Sequence, residues 1–545
     1  MTCAGAELPS PAWLEPGDAE RHWQRDLAHF PGQVTELDGA LLRRFIEGGF
    51  REAMAAHSLP FALLIRRFWT YYYQFDGPLA LPEDERKAML ERSLPQRELA
   101  RTTIARRWHD EWLPEVHEHL AFWSAIDPFA LDAHALASHL DDTLARGDRL
   151  WLLHFELAVA LSLARRAYLE LYGELFEPSS PLEAQTPLSG FDVLTTRAAR
   201  ELWPLRELVA PERVRDALLG VAPRDAMAAL AAEPTAGPLV AALDAYLEAN
   251  GQRSPYLLFS APSLREYPAP VMSMLRHMVE RPEADPNRLL AEQAAKRRQA
   301  EADARERLRY YPAPVRSEFE ARLAAAQTAA RVSEDHNYLI DYSSTARIRR
   351  VFLACGNALA EAGTIAEPDD VMHLRIEEVR AALRGGGTDL RERVRERRAQ
   401  MTHYAAIDPP FDINAPATVD GAAAPTDPGQ SGARLDPDVL HGMAASAGVA
   451  RGRARVLRSL DAVDELRPGE VLVATTTGQA WTPLFATASA LVTESGNLLS
   501  HAAVVAREYA LPAVVALSGA TRLIPDGALV EVDGAAGVVR LLARP

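Results

Sequence analysis

The feature that most limits how this chain can fold is a break in its pattern. Residues 406–436, AIDPPFDINAPATVDGAAAPTDPGQSGARLD, are dominated by Pro, Gly, Ala and Asp and keep no apolar period. A segment of that kind has no hydrophobic face to bury, so it reads as a flexible linker. Before it, apolar residues recur at intervals of three and four. After it, short β-rich runs alternate with short helical ones. The expected fold is therefore multidomain, with a large, mostly α-helical domain over residues 1–405, a linker over 406–436 and a C-terminal α/β domain over 437–545. A chain of 545 residues also exceeds what one hydrophobic core supports. A flexible coil of the linker's length has a root-mean-square span of roughly 30 Å, enough to carry a small domain between two sites.

In the first part, Ala, Leu, Arg and Glu dominate, the composition of good helix formers. One long helix is expected from Asp148 to about Leu175. A second, highly charged helix is expected over Asn287–Tyr310, stopped by Pro312 and Pro314, and a third helical pattern runs from about Val315 to Ala362. Proline removes a donor and clashes with the preceding turn, which is why the second helix ends there. Gly385-Gly386-Gly387 follows a helical pattern without a strand or lysine in phosphate-loop context, so it reads as a helix stop. The aromatic run Phe68–Phe75 is expected in a core. In the last part, strands are expected near 453–457, 470–475, 490–493, 513–517, 529–532 and 538–542, with helices near 460–466, 481–488, 501–509 and 519–523.

Bulk composition excludes several classes. The formal charge of −16 leaves no basic surplus to neutralise phosphates, so no nucleic-acid partner is expected. Cys3 and Cys355 are the only cysteines. They make neither a disulfide framework nor a zinc set, and no metal site is expected. No secretory leader or uncharged apolar run of membrane length is visible, so no membrane partner is expected and the expected location is the cytoplasm.

The chemistry concentrates at Ser500-His501-Ala502-Ala503-Val504-Val505-Ala506-Arg507-Glu508, preceded by Thr493-Glu494-Ser495-Gly496-Asn497. This places His501 at the joint between a glycine-bearing loop and a short helix. The unpaired N–H groups and dipole of a helix start favour a phosphoryl group there. Imidazole can carry that group on one nitrogen while the other is held by a hydrogen bond. Gly496 lets the loop approach closely. Ser500 can cap the helix or bond the phosphoryl. Arg507 either assists or pairs with a carboxylate such as Glu494. Thr476, with Thr475 and Thr477, ends a strand and can line the same face.

The run TESGNLLSHAAVVAREYALPAVVAL resembles the phosphohistidine motif of the phosphoenolpyruvate-utilising enzyme family. GMAASAGVARGRARVL and GEVLVATTTGQAWTPLF before it, and GATRLIPDGALVEVDGAAGVVRLL after it, extend the resemblance from about residue 437 to the end. Asn497 and Ala510 stand where that family usually has glycine. The resemblance implies a swivelling phosphohistidine domain of β/β/α type, with His501 phosphorylated. The helical part is similar to the acceptor region of rifampicin phosphotransferase and phenylphosphate synthase. The likeness lies at His22-Trp23 with Asp26 and His29-Phe30-Pro31, at Arg253 and Glu266, at Glu334-Asp335-His336 with Tyr338 and Asp341, and over 363–383. In that setting His336 is the expected catalytic base, with His154 a weaker candidate. Arg253, Glu266, Glu334 and Asp335 are the expected substrate-binding residues.

The resemblance further implies a phosphotransferase. A separate ATP-grasp subunit, using ATP and Mg²⁺, would phosphorylate His501, because nothing in this chain resembles an ATP-grasp domain. The phosphoryl would then pass to a hydroxyl of a small organic substrate. Two alternatives stand beside it: an ATP-driven dehydratase acting through a phosphorylated intermediate, and a non-catalytic phosphate-relay module.

Overall fold

In the computed structural model, the described residues are 8–415, except 179, 181, 388 and 408, and 438–545, except 499. Of the expected linker, 408 and 416–436 lie outside them. Its first residues are not coil throughout, because Asp412–Ile413 forms a short strand.

The first part is mainly helical, as expected. Its spine is a helix of 44 residues, Ala133–Phe176. It starts where the Asp132 side chain accepts from the Ala135 N–H at 2.8 Å, satisfying an orphan donor. Against it pack Gly48–Ala56 and Ala313–His336. The close approach to Gly48–Ala56 depends on Gly49, where an added Cβ would lie 2.7 Å from the Trp151 carbonyl carbon. The third helical pattern is broken by a wider turn. Ala313–His336 runs into a π-helical segment, Asn337–Tyr342, and continues as Ser343–Glu361. An inserted turn of this kind re-aims side chains and recurs at functional sites.

One sheet in this part is absent from the helical expectation. Strands β1 (Trp23–Arg25), β2 (Phe61–Phe68), β3 (Tyr71–Pro78) and β4 (Asp412–Ile413) pair antiparallel in the order β2-β3-β1-β4. The aromatic run divides over the β2–β3 hairpin, whose turn residues Trp69 and Thr70 both have positive φ. Trp23, Phe68 and Tyr73 are buried in a small core beneath it. Tyr72, Gln74 and Asp76 share the other face of β3, since side chains alternate along a strand.

The C-terminal part is built on eight strands: β5 (Val439–His441), β6 (Met443–Ser446), β7 (Val449–Leu457), β8 (Val471–Ala474), β9 (Ala490–Thr493), β10 (Ala513–Val515), β11 (Leu529–Asp533) and β12 (Val538–Ala543). Their order is β5-β12-β11-β7-β8-β9-β10-β6. Strands β7 to β10 run parallel and the flanking pairs antiparallel. The helix His501–Glu508 lies between β9 and β10. The two parts meet through an apolar core: Trp481, Leu484 and Phe485 belong to the same buried cluster as Leu264, Val271 and Met274. Among the described residues no single helix is long and apolar enough to cross a membrane.

Candidate active site

His501 is the first residue of its helix, and Ser500 is the cap, accepting from the Ala503 N–H at 3.4 Å. Gly496, in the preceding loop, has φ +119°, and a Cβ there would come within 2.9 Å of the Ser500 hydroxyl. Glycine therefore serves both backbone shape and close approach. The His501 side chain is 13% exposed. Its Nε2 lies 3.2 Å from the Thr482 hydroxyl. Its Nδ1 lies 3.4 Å from Glu334 Oε2, on the opposite part of the chain. That contact has ion-pair distance without the alignment of a good hydrogen bond.

Glu334 is buried and also accepts from the Thr195 hydroxyl at 2.8 Å. Burial pushes its carboxyl up, but His501, Thr195 and His336 outweigh this and hold it below its ordinary value. A carboxylate can only accept, so it favours the proton on Nδ1 and leaves the lone pair on Nε2.

His501 opens into a cavity of about 460 Å³ walled by both parts of the chain. The C-terminal wall includes Thr476, Thr477, Gly478 and Gln479. The hydroxyl of Thr477 and the whole side-chain amide of Gln479 are buried without a partner among the described residues. The helical wall includes Trp151 and His154 from the long helix and Asp341 and Tyr342 from the π-helical turn. The sheet supplies Tyr72, Gln74 and Asp76 from β3, followed by Asp26 and His29 just after β1. Two histidine–carboxylate pairs stand in these walls. His154 Nδ1 is 2.7 Å from Asp341 Oδ1, and His29 Nδ1 is 2.7 Å from Asp26 Oδ2.

Residues 466–537 match the family described as PEP-utilising enzyme, mobile domain. The C-terminal unit thus matches the PEP-utilising mobile domain over most of its length. Residues 154–334 match the rifampicin phosphotransferase fourth domain. Chondramide synthase cmdD of Chondromyces crocatus is 36% identical over 98% of this chain and 14% of its own length. A rifampicin phosphotransferase of Streptomyces sviceus is 32% identical over 64% of the chain and 40% of its own length. The uncharacterized phosphotransferase YvkC of Bacillus subtilis is 33% identical over 42% of the chain and 28% of its own length. The chain thus spans between 14% and 40% of these relatives.

The C-terminal unit packs with His501 against the helical part. Thr476 bonds across that boundary, donating to the Ala28 carbonyl at 2.8 Å. Gly478 is required there, because a Cβ would meet the Pro255 carbonyl oxygen at 2.9 Å and the Tyr342 hydroxyl at 3.0 Å. On the His501 helix, Glu508 accepts from the Gly190 N–H at 2.9 Å.

Several expected site residues sit elsewhere. Arg507 does not pair with Glu494. It donates to the Ala445 and Leu498 carbonyls at 3.0 and 2.9 Å, which bracket its helix. Arg253 is a brace, donating to the Asn250 and Leu194 carbonyls while lying 4.0 Å over the Tyr338 ring. Asp335 accepts from the Leu194 N–H at 2.8 Å. Glu266 pairs with Arg349 at 2.9 Å and lines a separate cavity of about 450 Å³ with Arg265 and Arg347.

His336 is buried behind His154, with ring centroids 5.1 Å apart, and its Nδ1 is held by the Val332 carbonyl at 2.9 Å. Of the two histidines, His154 is the one that lines the cavity. The atoms that His154, His336 and Asp341 could offer a metal lie within 4.8 Å of one another. Donors around tetrahedral zinc sit about 3.3 Å apart, and the His154–Asp341 contact is already a hydrogen bond, so the set fits a dyad better than a metal centre. Thr477 lies in the wall with Thr476, on the face expected from the sequence, whereas nothing in the sequence singles out Thr482 or Gln479. Asp26 and His29 are marked in the sequence only by a likeness.

Proposed function

We propose that this chain is the carrier-and-acceptor part of a phosphotransferase. His501 takes a phosphoryl group on Nε2 and delivers it to a hydroxyl of a small organic substrate bound in the cavity. The observation that carries this reading is the opening of His501 into a cavity whose far wall holds acid–base groups. Nδ1 is excluded as the carrier atom, because a phosphoryl dianion there would face the Glu334 carboxylate. On Nε2 the phosphoryl would stand beside the Thr482 hydroxyl, at a helix start that favours negative charge. The names of the rifampicin phosphotransferase relatives support the same reaction class. A cavity of substrate size favours transfer to a small molecule over a relay between proteins.

The phosphoryl source in this reading is ATP with Mg²⁺, acting through a separate ATP-grasp protein. The mobile domain would visit that donor and return. Incubating chain, ATP-grasp protein and β-labelled ATP should place label on the wild-type chain and none on His501→Ala. Label retained by His501→Ala sinks the assignment.

A further inference from the structure

The phosphoryl group would enter a cavity with an unusual charge balance. Its lining carries the carboxylates Asp26, Asp76 and Asp341 and, among the described residues, neither lysine nor arginine. Phosphoryl transfer normally relies on cations to meet the moving charge. Here the two histidine–carboxylate pairs are the groups that can serve, and their settings differ.

His154 projects from the long helix with its ring packed against Trp151 and Phe155, centroids 5.0 and 4.8 Å away. Its Nδ1–H is taken by Asp341, which leaves Nε2 as an acceptor in the wall. That is the arrangement in which a carboxylate fixes the tautomer of a histidine base. His29 is different. Its side chain is 64% exposed to the cleft, and Asp26 is anchored by the N–H groups of Ala28 and His29 at 3.0 and 3.1 Å. An anchored carboxylate on one side and an open face on the other make an imidazolium that can turn its Nε2–H to an incoming anion.

We propose that His154, oriented by Asp341, is the general base for the acceptor hydroxyl, and that His29, held by Asp26, is the cation that meets the phosphoryl oxygens. The proposal rests on the phosphotransfer reading above. In the step, the acceptor oxygen bonds to phosphorus and the bond from phosphorus to His501 Nε2 breaks. Its electron pair returns to His501, and the hydroxyl proton goes to His154 Nε2. Asp26 raises the His29 imidazole to about 9, with Asp341 adding to the effect, so His29 is charged at neutral pH. The same balance names the substrate class. Three carboxylates disfavour an acid, while Phe30, Tyr72, Trp151 and Phe155 offer an aromatic bed. The acceptor is a neutral or cationic alcohol or phenol with an apolar body.

The test loads His501 directly with radiolabelled phosphoramidate, a small donor that needs no partner protein. Release of label is then followed to benzyl alcohol, to 4-(hydroxymethyl)benzoate and to water across pH 5–9. Benzyl alcohol should be preferred to the benzoate. His154→Gln should take up label, since it does not touch His501, but transfer it about 10²–10⁴-fold more slowly and lose the rise of rate with pH. Asp341→Asn should follow it. His29→Gln should slow transfer and His29→Arg should restore most of it. Transfer by His154→Gln within threefold of wild type would overturn the base assignment, as would wild-type label leaving no faster than from unfolded protein. Equal rates for His29→Gln and wild type would overturn the cation. Failure of the wild-type chain to take label on His501 would instead count against the phosphotransfer reading itself.

Discussion

Glu334 Oε2 lies 3.4 Å from Nδ1 of His501, and the two residues belong to different parts of the chain. The contact has two consequences: the carboxylate favours the proton on Nδ1, and it ties the C-terminal unit to the helical part. Replacing Glu334 by Gln removes the charge and keeps the shape. Loss of the carboxylate behind a metal-bound histidine typically costs about 10- to 100-fold, and the same order is expected for the carboxylate behind His501. Glu334→Gln should slow phosphoryl transfer from His501 by that factor with little change in melting temperature, as read from single-turnover release of label.

Gly478 tests docking separately from chemistry. A methyl group at this position meets the Pro255 carbonyl and the Tyr342 hydroxyl, both across the boundary. Overpacking of this kind costs about 1–3 kcal/mol, and here it falls on the docked arrangement. Gly478→Ala should leave labelling of His501 by a small donor intact, slow transfer to the acceptor and raise hydrogen exchange over 478–485.

Glu508 should make stability sensitive to pH. Burial raises its carboxyl to about 7, and Glu334 adds to this, against the Gly190 N–H, Arg507 and Arg297. The folded state therefore binds more protons than the unfolded one between the ordinary carboxyl value and about 7. Stability from this group is full below that window and is lost as pH rises through it. The melting temperature should fall between pH 5 and 8, and Glu508→Gln should flatten that slope. An unchanged slope in the variant would remove Glu508 as its source.

Gly49 sets the position of the helix that carries Trp151 and His154. Gly49→Ala drives a Cβ into the Trp151 backbone and should destabilise the helical part by about 1–3 kcal/mol. Because the displaced residue lines the cavity, binding of an aromatic alcohol should weaken as well, measurable by calorimetry alongside a denaturant titration.

The helical segments were legible because periodicity survives without tertiary context. The expected Val315–Ala362 helix is a near match, but the π-helical turn at Asn337–Tyr342 has no periodic signature, and it is this turn that carries Asp341 and Tyr342 to the cavity. The sheet β1–β4 was hidden for a related reason. Three-residue β1 and two-residue β4 are too short to show alternation: β1 is a strand because β3 lies beside it, and β4 because β1 does. Arg253 and Arg507 are the type of residue a phosphate site uses, and Glu266 is a type that binds a substrate's polar groups. Only packing showed that their polar groups were already committed to carbonyls or to a neighbouring arginine.

The sequence by itself determined the division of the chain, the alternating pattern of the C-terminal unit and the singular setting of His501. Those properties are local: a linker without an apolar period, strands with turn residues, a histidine at a helix start. The tertiary structure decided which groups His501 meets. His154 and Asp341 are 187 residues apart, and His501 meets Glu334 across the docked boundary. Hydrogen bonds and ion pairs act over a few ångströms, whatever the distance along the chain.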